Sequence, residues 1–97
     1  MIIELNNIVS NSSSNTEGLK LFDLLDSEFQ NHGEIIIEID NFSSLSSSFL
    51  NSSIGLFLEK YGVEAFKSKV KIRGAKHQFI RVKDYLNKFS SLITEGN

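Results

Sequence analysis

Ile35-Ile36-Ile37-Glu38-Ile39-Asp40 is the segment that most narrows the fold of this chain. β-branched side chains crowd a helical turn but suit a pleated, buried surface, so the run predicts a strand. Its near-continuous apolar character predicts cover on both faces. Asp40 and Asn41 end it, and the serine-rich stretch from Phe42 to Ser48 turns the chain. Leu50, Ile54, Phe57, Leu58 and Tyr61 then recur at helical spacing up to Gly62, a suitable C-terminal stop. A turn that leaves a strand and opens a helix is where open α/β sheets place their working groups.

The flanking sequence repeats the alternation. Ile2 to Leu5 reads as a short strand, and Ser10 to Asn15 as a polar loop. Thr16 is read as an N-cap, with Glu17 suited to the first turn. Leu19, Phe22, Leu25 and Phe29, widened by Leu21 and Leu24, predict a helix ended by Gly33. Val70 and Ile72 alternate with Lys69, Lys71 and Arg73, which predicts an edge strand with one wet face. Phe79, Val82, Leu86, Phe89 and Ile93 predict a last amphipathic helix from about Lys76, with a fraying tail at Glu95-Gly96-Asn97. The order β-α-β-α-β-α predicts one α/β domain spanning residues 1–97, a mixed sheet with helices packed mainly on one face. The first strand is the one expected to pair antiparallel.

Composition removes several chemistries. The chain has 97 residues and no cysteine, which rules out disulfides, thiol catalysis and thiolate metal sites. No apolar run approaches the roughly 18 residues of a membrane span, and the start MIIELNN carries no basic signal-peptide region. A cytoplasmic domain is expected. Residues 1–66 hold ten acidic and two basic residues, whereas residues 67–83 hold seven basic residues and no acid. Two elements with differently charged solvated faces account for this, or a binding face does.

The residues offer little for catalysis. A serine nucleophile needs a base, and only His32 and His77 are present, each read as a surface histidine. The G-x-S-x-G elbow and the phosphate-loop glycines are absent. Asp23 and Asp26 read as solvated helix charges. No metal or cofactor is expected. Gly55 lies inside a predicted helix, where Gly costs roughly 1 kcal/mol relative to Ala, so close approach of a neighbouring element is its better explanation. One of Ser43, Ser44, Ser46, Ser47 and Ser48 is expected to cap the second helix; the remaining hydroxyls and helix N–H groups suit an anion or a partner's carboxylate. Asp40, beside them, is expected to accept turn N–H groups or to contact a partner. Asn51 is either an ordinary first-turn residue or makes a hydrogen bond that orders the serine turn.

Ser47-Ser48-Phe49-Leu50-Asn51, followed by Ile54-Gly55, resembles a family of small prokaryotic STAS-like domains of unknown function. Their shared pattern is a strand ending in an acid, here Asp40, then a serine-rich turn and S-F-L-N-x-x-I-G, here Ser48 to Gly55. Glu17-Gly18 is similar too, and the resemblance covers most of the chain. The family looks related to the STAS domains of anti-sigma-factor antagonists, which bind a histidine-kinase-like ATPase through the strand-turn-helix region. In those domains a D-S-S-G turn carries a phosphorylated first serine. By resemblance Ser46, Ser47, Ser48 and Phe49 take those four places, with Ser46 replacing the Asp and Phe49 the Gly.

The resemblance implies a non-enzymatic regulatory module that docks a protein through residues 40–55, with Asp40, Ser46, Ser47, Ser48 and Asn51 as partner-binding residues and Ser47 as the phosphoacceptor. The alternative is nucleic-acid binding through residues 67–83, using Lys69, Lys71, Arg73, Lys76 and Arg81. No aromatic interleaves that basic strand as a stacking platform would require. The apolar pattern leaves nothing over once a core is filled, which favours a monomer over a head-to-tail dimer.

Overall fold

The computed structural model describes residues 1–11, 13–31 and 33–95, with side chains through Ser90. His32, the Ile93 side chain and the tail at Gly96-Asn97 lie outside the described residues. Three strands, β1 (Ile2–Glu4), β2 (Ile35–Ile39) and β3 (Val70–Gly74), alternate with helices. A single turn α1 (Leu5–Ile8) and the long α2 (Asn15–Gln30) connect β1 to β2. Helices α3 (Ser47–Ser52), α4 (Ile54–Tyr61) and α5 (Val63–Lys69) connect β2 to β3, and α6 (Lys76–Glu95) follows.

The α/β alternation is as expected, but the sheet is parallel throughout, in the order β1-β2-β3, rather than mixed. The long helical crossovers carry the chain back to the same end before each new strand, so every pair forms parallel. Because the strands are laid down in one direction, right-handed crossovers put the helices on one face. Ile3, Ile35, Ile37, Ile39 and Val70 point to that face and share one core with Leu21, Leu25, Leu50, Phe57 and Val82.

Among the described residues none covers the opposite face, which corrects the expectation of a doubly buried β2. Ile2, Ile36 and Lys71 align across it, as do Glu4, Glu38 and Arg73. Ile2 is 51% exposed, and Ile36 is half-buried. Arg73 pairs with Glu38 at 3.0 Å, an exposed pair worth little to stability.

Several local readings change. Ser14, not Thr16, caps α2, its Oγ accepting the Glu17 N–H at 3.3 Å. The buried Glu17 carboxylate in turn accepts the Ser10 N–H and pairs with Lys20. These two contacts, the Lys20 one first, hold its pKa below the ordinary value. Leu19 is exposed, and Leu21 and Leu25 centre the stripe instead. Asp26 is not merely solvated, because it accepts the Tyr61 hydroxyl and pairs with Lys60 at 3.0 Å, tying α2 to α4.

The expected second helix breaks at Ser53. Its buried Oγ donates to the Phe49 carbonyl at 2.7 Å, a back-bond that competes with helix continuation. Lys69 ends α5 rather than starting a strand, so it does not share a strand face with Lys71 and Arg73. Its helix was not foreseen, because Phe66 is the only buried residue in those two turns.

Candidate functional site

At the carboxyl end of β2, the Asp40 side chain organises the turn. Its Oδ1 accepts the N–H groups of Phe42 at 3.0 Å and Ser43 at 2.6 Å. Its Oδ2 accepts from the Asn6 amide, and Asn6 Oδ1 accepts from Ser43 Oγ at 3.3 Å. The Asn6 bond first, then the Ser43 bonds, lower the Asp40 pKa from 3.8 to about 2, because each favours the charged carboxylate.

The last helix clamps the same turn from the other side. Gln78, 2% exposed, donates its amide to the carbonyls of Asp40 at 2.9 Å and Ser43 at 2.6 Å. Arg81 Nε donates to the Leu45 carbonyl at 3.1 Å. Leu45 is buried in the core, so the turn is anchored at its centre. Ser46 supplies the expected cap, accepting the Phe49 N–H at 3.0 Å while donating to the Ser13 carbonyl at 2.9 Å. Asp40 and Ser46 thus spend their polar atoms inside the fold.

What the turn presents outward is different. Phe42 is 90% exposed at its tip. Ser47, Ser48 and Asn51 are exposed on the first turns of α3. Asn51 Oδ1 accepts the Tyr85 hydroxyl at 2.6 Å, so its bond reaches across to α6 and does not order the serine turn. Burial, and then the Glu59 charge, raises the Tyr85 pKa.

Ser47, Asn51, Glu59, Arg81, Tyr85 and Lys88 line a cleft of about 420 Å³ between α3–α4 and α6. Ser47, at the end of the turn, is the residue that the turn shares with this cleft. Phe42, Asn6, Gln78 and Tyr85 were not singled out from the sequence. Only Phe42 had a usable signal there, one of two large apolar residues, with Leu45, in a serine-rich turn.

The expected basic face is divided. Lys69 sits at the end of α5, and Lys71 and Arg73 lie on the open sheet face beside Glu4 and Glu38. Lys76 is exposed at the start of α6 next to an exposed His77, and Arg81 turns toward the Leu45 carbonyl. Among the described residues, no three His, Cys, Asp or Glu side chains group to hold a metal ion. Nor is any helix among them long and apolar enough to cross a membrane.

Residues 17–78 match the family described as STAS-like domain of unknown function (DUF4325). No curated protein and no solved structure matches the chain significantly.

Proposed function

The chain belongs to the STAS-like domains of unknown function, and from that premise we propose that it is a non-enzymatic regulatory module that docks a protein partner through the turn at 40–48 and the start of α3. The observation that carries this reading is Phe42. An aromatic side chain 90% exposed on a turn pinned from three sides is unfavourable to keep in water, and burying it against a partner gains its desolvation at little cost in entropy. Ser47, Ser48 and Asn51 are the exposed polar residues that follow the turn on α3, and Asp40 and Ser46 act by holding the turn's shape. A histidine-kinase-like ATPase is the partner class that the family resemblance implies, and Ser47 is the phosphoacceptor that it implies. A phosphate there would lie at the mouth of a cleft that also holds Arg81 and Lys88.

Affinity capture from the native host, with wild type against Phe42→Ala and Ser47→Asp, tests the reading. Loss of the same captured protein from both variants is expected. Retention of every partner by both variants places the docking surface elsewhere. A parallel titration with mixed-sequence DNA and RNA addresses the basic residues. Saturable binding that weakens steeply with salt would replace this reading with nucleic-acid recognition.

A further inference from the structure

A second surface, sharing no residue with the turn, lies at the outer edge of β3. Among the described residues no strand pairs with this edge, so its outward backbone groups are open to a further strand. Beside it runs a groove of about 290 Å³ between β3, α5 and α6. Ile72, Phe79, Val82 and Leu86 supply its apolar lining. Phe79 was expected in the core but is 49% exposed, because β3 is the edge strand and among the described residues no strand lies beyond it to cover the first turn of α6. Lys67, Lys71 and Lys83 stand around the same groove, all exposed. No acidic residue occurs anywhere in residues 67–83.

We propose that this edge is a recognition site for an extended acidic segment of a partner protein, which adds a fourth strand beside β3 and places alternate apolar side chains in the groove over Ile72 and Phe79. The geometry sets the pattern. Successive side chains of an added strand point to opposite faces. One set enters the groove, and the other lies on the open sheet face beside Lys71 and Arg73. Alternating apolar and carboxylate residues satisfy both. Main-chain bonds to the edge supply affinity, and the groove and lysines supply selection. The same lysines oppose pairing of β3 with a copy of itself, since like charges would meet across the new ladder.

Fluorescence anisotropy with a labelled eight-residue peptide alternating valine and glutamate tests this at low salt. Saturable binding is expected, weakened about tenfold or more by Phe79→Ser and by the double change Lys71→Glu with Lys83→Glu. The alternating valine–lysine peptide is expected not to bind. A valine–glutamate peptide with a central proline is expected to bind about tenfold more weakly, since proline removes a ladder donor. All three substituted side chains are exposed, and circular dichroism verifies that each variant is folded. Absence of saturable binding overturns the proposal, as does equal binding of the lysine peptide. Equal binding of the proline peptide overturns strand addition. Sedimentation that shows a dimer abolished by Phe79→Ser would assign the groove to a second copy instead.

Discussion

The hydroxyl of Tyr85 lies directly over Gly55, so that a Cβ at position 55 would stand 2.5 Å from it. This contact explains a glycine within the second helical segment, where propensity alone argues for alanine by about 1 kcal/mol. Gly55→Ala must displace the Tyr85 hydroxyl and with it the bond to Asn51. A net loss of about 1 kcal/mol is expected. In a Tyr85→Phe background the nearest atoms to that Cβ are the Leu50 carbonyl oxygen at 3.3 Å and ring Cζ at 3.7 Å, and most of the cost of Gly55→Ala is expected to disappear. Urea unfolding of the four members of this cycle measures the coupling.

Gly18 offers a contrast. A Cβ there meets the Phe49 carbonyl oxygen at 2.7 Å and Ser52 Cβ at 2.8 Å, where α2 crosses α3. Both are backbone or backbone-attached atoms and cannot swing aside. Gly18→Ala is expected to cost about 2–3 kcal/mol, with no single second substitution restoring it. A urea midpoint within error of wild type would show that the two helices can separate freely.

Asp40 makes stability depend on acid. Its carboxyl titrates at about 2 in the folded chain against an ordinary value of 3.8, so its folded pKa is depressed. Its contribution is complete above about pH 4 and is lost as pH falls toward 2. Asp40→Asn is therefore expected to be less stable than wild type at neutral pH, with the difference shrinking between pH 4 and 2. Urea midpoints measured across that range check it, and a difference independent of pH would exclude a role for the Asp40 charge.

Phe42 and Gln78 separate surface from scaffold. Phe42→Ala removes an exposed ring and is expected to leave stability within about 0.5 kcal/mol while abolishing partner capture. Gln78→Ala strands two carbonyls in a buried setting and is expected to cost about 1–3 kcal/mol. Thermal unfolding of both variants distinguishes them, and equal destabilisation would mean that Phe42 packs against the fold.

Much of this molecule was legible locally. The isoleucine run at 35–39 and the alternation at 70–73 each became a strand, and the stripe from Leu50 to Tyr61 became helix, broken at Ser53 into α3 and α4. So did the capping hydroxyl at Ser46 within the serine turn. Hydrophobic period and cap chemistry act over a few residues, and a few residues of sequence contain them. The turn was placed correctly for the same reason.

The rest was decided by distance along the chain. Whether β1 pairs parallel depends on where α2 returns the chain, which no periodicity in residues 2–5 records. Gln78 meets Asp40 across 38 positions, and Tyr85 meets Asn51 across 34. Those bonds turn a serine-rich loop into a rigid support with Leu45 inside and Phe42 outside. The sequence by itself determined the three strands, the helices α2 and α6 and the turn that joins β2 to α3. Only the tertiary structure decided which side chains hold that turn and which face solvent, because burial and long-range hydrogen bonds arise when separate elements meet.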